Sequence, residues 1–192
     1  MRNSLILGFV LAALVPGAAM GKVQDSASNG FTVKQTYNVA TTPEEAYRRF
    51  IRVGEWWNSQ HTFSGDARNL SIEEKAMGCW CEKLPGGGAV RHLQVVYLAP
   101  GKILRFTGGL GPLQAMAATG ALTVQFTAAE GGTRVDVTYA VTGYSPTGLN
   151  TLAPIVDTVL TEQFTRFSNY VEHGNPVAAP SSPGALDSQA PK

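Results

Sequence analysis

Apolar residues recur at helical spacing over residues 151–173, near the carboxyl end of the 192-residue chain. The apolar positions of this stretch are Leu152, Ile155, Val156, Val159, Leu160, Phe164, Phe167, Tyr170 and Val171. At about 100° per residue most of them share one broad stripe, as in a helix laid along a hydrophobic surface. Asn150 is a suitable N-cap, and Gly174 followed by Pro176 is a stop signal. The pattern therefore predicts a long helix that packs on the rest of the domain.

One polar residue, Gln163, lies near the middle of this apolar stripe, between Val159 and Phe167. A buried amide must find hydrogen-bond partners. Two interpretations stay open. The amide orients a polar group of a ligand inside a dry cavity, or it bonds to a strand carbonyl or a buried water.

The stretch that precedes this helix has the alternation and turn residues of β-strands. The predicted strands are 31–40, 70–72, 77–82, 89–98, 102–107, 122–127 and 133–142. Short connections rich in glycine and proline favour antiparallel meander pairing over βαβ crossovers. In the last two strands the apolar residues share one parity, so each strand has one dry face that the long helix can cover.

Two short helices are expected between the first strand and the meander. Thr42 is placed as an N-cap, Pro43 takes the first helical position, and Glu45 is placed to close a capping box. This helix runs to about Ile51. A second short helix carries the Trp56-Trp57 pair.

The two ends of the chain differ from its middle. Residues 1–21 have the basic start and short apolar run of a secretory signal, so we expect a periplasmic or secreted protein with no integral membrane span after signal removal. Residues 22–30 are expected to be a flexible lead-in, and 31–174 to form the domain. Residues 175–192, rich in proline, alanine and serine, are expected to be disordered.

The composition narrows the range of partners. Apolar residues make up 44% of the chain and charged residues only 15%, with a formal net charge of +1. Nucleic-acid binding needs clustered lysine and arginine, which this sequence lacks. No protein partner can be named from the sequence.

Several local motifs occur in a fixed order along the chain. They are Thr42-Pro43-Glu44-Glu45-Ala46, Glu55-Trp56-Trp57, Gly78-Cys79-Trp80-Cys81-Glu82, Pro100-Gly101-Lys102-Ile103-Leu104 and Gly132-Thr133-Arg134-Val135. In this order they resemble the START-like (SRPBCC) superfamily, in its polyketide cyclase/dehydrase and Hsp90-ATPase-activator-homologue branch. The resemblance covers about 31–173. It implies an α+β helix-grip fold, in which a curved antiparallel sheet wraps around a long C-terminal helix, with two short helices after the first strand.

The resemblance also implies a cavity between the sheet and the C-terminal helix that holds a hydrophobic or amphipathic small molecule. The candidate ligand-binding residues are Trp57, Phe63, Trp80, His92, Phe106, Met116, Tyr139, Val156, Val159 and Gln163. Aromatic walls suit an apolar ligand, although aromatic clusters are also ordinary core. Leu113 and Met116 are candidates to gate the cavity.

No catalytic residue is assigned, and a non-catalytic binding protein is the leading hypothesis. His61 and His92 are candidate bases, but neither has an Asp or Glu in a fixed relation along the sequence. The alternatives are a cyclase- or dehydratase-like enzyme that uses Gln163, His92 or Tyr139, and a protein-interaction domain with a filled core. Convergence of His92 with a carboxylate would favour the enzyme.

Cys79 and Cys81 flank Trp80 and point to the same face of a strand. Their Cα atoms would lie about 6.5 to 7 Å apart in extended geometry, at or beyond the upper limit for an unstrained disulfide. We therefore expect two free cysteines, with a strained bond as the alternative. Their spacing from the histidines is not that of a zinc site, and no metal or cofactor is expected.

Overall fold

The computed structural model describes residues 22–177. The predicted signal segment, 1–21, and residues 178–192 of the predicted tail lie outside the described residues. The strands are β1 (Lys22–Ala27), β2 (Gly30–Val39), β3 (Leu70–Ile72), β4 (Cys79–Lys83), β5 (Ala89–Ala99), β6 (Ile103–Gly108), β7 (Ala117–Ala129) and β8 (Gly132–Tyr144). The helices are α1 (Pro43–Phe50), α2 (Val53–Trp56) and α3 (Ala153–His173). None of the helices in this part of the chain is both long and apolar enough to cross a membrane.

The eight strands form a single antiparallel sheet in the order β1-β2-β8-β7-β6-β5-β4-β3. Strands from β3 to β8 follow one another as a meander, so the predicted antiparallel pairing is confirmed. β2 pairs with β8 over ten residues, which places the start of the domain beside the last strand. The predicted α+β class, with a long C-terminal helix on an antiparallel sheet, is confirmed.

The core lies between the dry face of the sheet and α3. Strand β8 contributes four buried apolar residues of one parity, Val135, Val137, Tyr139 and Val141. The middle of α3 contributes Phe164 and Phe167, which are fully buried. Phe50 of α1 lies at the centre, with six aromatic rings at centroid distances of 5.6 to 6.4 Å. Burial of this much aromatic surface is the main source of stability.

The helix boundaries follow the predicted signals in part. The Thr42 hydroxyl accepts a hydrogen bond from the Glu45 N–H at 3.3 Å, as predicted. The Glu45 carboxylate binds two arginines of its own helix, so the capping box is only half formed. Asn150 does not cap α3, because a 3₁₀ turn over Leu149–Thr151 precedes the helix and Leu152 is its N-cap. Gly174 ends α3 in the left-handed conformation, as predicted.

The predicted flexible lead-in is a strand in the structure. Lys22–Ala27 forms β1 and pairs with β2 at the edge of the sheet, with a register shift between Val23 and Asp25. Nearly all of its side chains are exposed, and only Val23 packs against the core. The sequence could not reveal this strand, because an edge strand without a dry face lacks apolar alternation.

The expectation of two free cysteines is wrong, because Cys79 and Cys81 form a disulfide. The register between β4 and β5 shifts between Trp80 and Cys81, because one residue of β5, His92, has no partner on β4. Its two cysteine Cα atoms lie 5.3 Å apart, shorter than extended geometry gives and within the range of protein disulfides. This short separation removes the geometric objection to the bond.

Candidate functional site

A cavity of about 630 Å³ lies beside the N-terminal half of α3. Three parts of the chain form most of its wall: the first turns of α3, residues 57–63, and residues 110–116. We call the last two segment 57–63 and segment 110–116. Phe63, Met116 and Ile155 are exposed and mark an opening to solvent. The predicted hollow between sheet and helix is present, but it lies at one end of α3 and not along its whole length.

Seven of the ten candidate ligand-binding residues lie in the cavity wall. They are Trp57, Phe63, Trp80, His92, Met116, Val156 and Val159. The other three, Phe106, Tyr139 and Gln163, are fully buried outside that wall. Phe106 packs in the aromatic core, against Phe50 and Trp80. Contact of any of the ten with a ligand stays a prediction.

Gln163 holds segment 57–63 on α3. Its side-chain oxygen accepts a hydrogen bond of 2.8 Å from the backbone N–H of Asn58. Its amide nitrogen has no hydrogen-bond partner within residues 22–177. The amide thus bonds to the backbone, as one of the two interpretations allows, although the partner is a loop N–H and not a strand carbonyl.

Tyr139 holds segment 110–116. Its hydroxyl donates to the carbonyl of Gly108 at 3.0 Å and accepts from the N–H of Leu110 at 3.2 Å. Burial raises the pKa of Tyr139 to about 12, and the hydrogen bond from Leu110 only partly opposes this. The phenol is therefore protonated at neutral pH, and its hydroxyl positions the loop.

His92 is paired with a buried carboxylate. Nε2 of His92 lies 2.9 Å from Oε2 of Glu82, and the two side chains are 5% and 0% exposed. The Glu82 carboxylate also accepts the backbone N–H groups of Phe63 (3.1 Å) and Ser64. Burial opposes its ionisation, but the hydrogen bonds from these three partners outweigh burial and hold the pKa of Glu82 below its usual range.

The sequence reasoning missed Glu82 as a partner, although one signal was present. Trp80 and Glu82 have the same parity on β4, so an inward-facing tryptophan places a carboxylate on the dry face as well. A charged residue on a dry face needs a partner. The register shift in β5 that brings His92 to this carboxylate cannot be read from the alternation.

His61, another residue of the cavity wall, also has a carboxylate partner. Its Nε2 lies 3.0 Å from Oε2 of Glu162 on α3, and the Asn58 side chain donates to the other oxygen of Glu162. Burial opposes ionisation of Glu162, but these two bonds outweigh it and lower the pKa of that carboxyl. About a hundred residues separate the partners along the chain, so no local pattern indicates the pair.

Known structures show the same arrangement of helices and strands. CalU16 from Micromonospora echinospora is 9% identical, with 85% of this chain and 88% of that chain covered at a TM-score of 0.54. An uncharacterised protein from Rhizobium leguminosarum is 12% identical, with coverages of 80% and 99% and a TM-score of 0.53. The Aha1 dimer from Colwellia psychrerythraea is 14% identical, with coverages of 74% and 97% and a TM-score of 0.50. No protein-family model and no curated protein matches the chain.

The chain has the START-like helix-grip fold. The helix-grip fold that the sequence motifs implied is thereby confirmed, with the Aha1 and CalU16 structures among those of the same arrangement. At these identities the neighbours establish the fold, and the chemistry has to be argued from the site itself.

Within this helix-grip fold, the Glu82–His92 pair determines the hydrogen-bonding groups of His92 in the cavity wall. An ionised carboxylate only accepts hydrogen bonds, so Nε2 of His92 carries the proton. In the neutral ring the other nitrogen, Nδ1, is then an acceptor, and within residues 22–177 nothing hydrogen bonds to it. The ring of Phe63 packs beside the imidazole at a centroid distance of 5.7 Å. The histidine thus brings a polar ring into the wall of a mainly apolar site.

Proposed function

We propose that the protein binds a hydrophobic or amphipathic small molecule in this cavity. The volume of about 630 Å³ carries the proposal, because it falls within the range of small-molecule sites and the wall is predominantly apolar. Such a ligand would contact the aliphatic side chains of α3 on one side and the aromatic side chains of Trp57, Phe63 and Trp80 on the other. Each buried methylene adds about 0.8 kcal/mol of hydrophobic free energy.

The polar part of the ligand would lie at His92. Since Glu82 fixes the proton on Nε2, the free nitrogen accepts a hydrogen bond, and a hydroxyl or phenol group fits it better than a carbonyl or an ether. The amphipathic ligand we propose is therefore a hydrogen-bond donor at its polar end. A pair of probes such as 2-naphthol and 2-methoxynaphthalene tests this, with tighter binding expected for the naphthol.

The binding experiment compares two tryptophan substitutions. Val156→Trp fills the cavity from α3, whereas Val96→Trp adds the same bulk at an exposed position of β5. Titration with a fluorescent apolar probe should show a loss of affinity of about tenfold or more for Val156→Trp, since overpacking costs about 1–3 kcal/mol. Equal affinities for the two variants would contradict the proposal that the probe binds in this cavity. Native mass spectrometry of protein purified from its own compartment would then identify the ligand.

An enzyme is the second candidate function, and the Glu82–His92 pair favours it. A histidine oriented by a carboxylate can take a proton from an enolisable substrate, and the carboxylate stabilises the imidazolium that forms. Catalysis also needs a second polar group near the reacting atom. His92→Gln tests for catalysis: an enzyme would show turnover in the wild type that this variant loses, whereas a binding protein would show no turnover in either form.

We propose in addition that the protein is exported. The basic start and apolar run of residues 1–21 support this. Mass spectrometry of the mature protein, after separation of cell compartments, should find an N-terminus near residue 22. Recovery of peptides from residues 1–20 in the mature protein would argue against export.

A further inference from the structure

The Cys79–Cys81 disulfide lies on the outer face of β4, away from the cavity. Both cysteines are partly exposed, whereas Trp80 between them is 1% exposed and points into the core. No part of the proposed ligand-binding function uses this bond. The bond lies next to the short edge strand β3, whose Ser71 is paired with Cys81.

Because of its position in the chain, the disulfide contributes little to the stability of the fold. A disulfide stabilises a fold mainly by restricting the unfolded chain, and this effect grows with the length of the loop that it closes. Cys79 and Cys81 are only two residues apart. A bond between them therefore restricts the unfolded chain very little and adds little to the stability of the fold.

The residue paired with Cys81 on the neighbouring strand is a cation. Cys81 is paired with Arg91 of β5, and both side chains point to the outer face. Side chains directly opposite each other have Cβ atoms about 4.5 to 5.5 Å apart. Arg91 forms no ion pair with any carboxylate in residues 22–177, so its charge is available to a thiolate at Cys81.

We propose that Cys79–Cys81 is an exchange-active disulfide that oxidises thiols at the outer face of the sheet. The substrate is a small-molecule or protein thiol. Its thiolate attacks the sulfur of Cys79, the bond between the two cysteine sulfurs breaks, and Cys81 leaves as a thiolate opposite Arg91. A mixed disulfide then joins the substrate to Cys79.

A second thiolate completes the exchange by attacking the substrate sulfur of the mixed disulfide. The substrate leaves as a disulfide, and Cys79 leaves as a thiolate. In sum, two thiols lose two electrons and two protons, and the protein disulfide gains them as two cysteine thiols. The proposal does not depend on a ligand in the cavity, so it can be tested without one.

The experiment measures reduction of the folded full-length protein by glutathione, with alkylation and mass spectrometry to count free thiols. The wild-type disulfide should be reduced without denaturant at about millimolar glutathione. Arg91→Gln should slow reduction about three- to tenfold, because the leaving thiolate loses its cation, and Arg91→Lys should restore most of the rate. Arg105→Gln is the matched control, since Arg105 is an exposed arginine that faces Thr123 and Tyr97 instead of the cysteines.

A second variant tests whether Cys79 can carry the mixed disulfide. Cys81→Ser leaves Cys79 with no resolving partner, so incubation with oxidised glutathione should trap a mixed disulfide on Cys79. A bond that is reduced only after the protein unfolds would overturn the proposal. Equal rates for Arg91→Gln and Arg105→Gln, or no adduct on Cys79, would overturn it as well. Circular dichroism of each variant confirms that the exchange is measured on folded protein.

Discussion

Glu82 on β4 and His92 on β5 share a hydrogen bond of 2.9 Å while both side chains are almost completely removed from solvent. The same carboxylate accepts the backbone N–H groups of Phe63 and Ser64. One buried charge thus orients a histidine of the cavity wall and holds the end of segment 57–63. A charge of this kind remains buried only because all of its partners are in place.

Replacement of Glu82 by glutamine should destabilise the protein by about 2–4 kcal/mol, because an amide cannot accept all three hydrogen bonds and its NH₂ group faces donors. Urea unfolding of Glu82→Gln provides the measurement. Glu130→Gln, in the exposed turn between β7 and β8, is the control and should stay within about 0.5 kcal/mol of the wild type. Equal effects of the two substitutions would show that the buried network contributes nothing.

The contribution of Glu82 should also depend on pH. Its pKa is lower in the folded protein than the ordinary value of 4.5, so the folded state binds the proton less tightly than the unfolded state. The resulting stability is fully present above pH 4.5 and is lost as the pH falls through the folded pKa. The difference in unfolding free energy between wild type and Glu82→Gln should therefore shrink on acidification below 4.5. A difference that grows towards acid pH would contradict this sign.

Glu162 should control the mobility of segment 57–63. Glu162→Ala removes the acceptor for the side chains of Asn58 and His61, so the segment opens more often. Hydrogen exchange of the backbone amides of residues 58–63 should become faster, with a loss of about 0.5–1.5 kcal/mol in global stability. Glu172→Ala, at the far end of the same helix, should leave these amides unchanged. Unchanged exchange in Glu162→Ala would mean that Gln163 alone holds the segment.

Tyr139 should have the corresponding role for segment 110–116. Tyr139→Phe keeps the ring in the core but removes the hydroxyl that bridges Gly108 and Leu110. The expected loss is about 1 kcal/mol, because the two backbone groups lose a partner in a partly buried place. Amides of residues 110–116 should exchange faster. Tyr144→Phe, with its side chain exposed, is the control and should change neither stability nor exchange.

Much of the fold followed from local pattern. Thr42 and Pro43 start α1 and Gly174 ends α3, because caps and stop signals act within one helical turn. Apolar alternation located most of β4 to β8. The 3₁₀ turn before α3 and the edge strand β1 were missed, because neighbours distant in the sequence stabilise them: Leu149 donates its N–H to Ser28, and β1 pairs with β2.

The candidate site followed from the sequence only as a region. Apolar periodicity placed Val156 and Val159 on the inner face of α3, and the resemblance placed aromatic residues opposite them. The roles of individual polar residues could not be predicted in this way. Gln163 and Tyr139 lie outside the cavity wall and hold its two loops, since hydrogen bonding in a buried site depends on distances of a few tenths of an ångström.

The sequence by itself determined which residues are apolar and at what period, and hence the sheet, the long helix and the face that each buries. Only the tertiary structure decided which carboxylate meets which histidine and how far apart Cys79 and Cys81 lie. The physical reason is that hydrophobic burial depends on area and not on direction. The local periodicity of apolar residues is therefore enough to predict which face of an element is buried. Hydrogen bonds and a disulfide also depend on distance and direction, and therefore on how neighbouring strands are paired. A bulge of one residue changes this pairing without changing the apolar pattern of the sequence in a recognisable way.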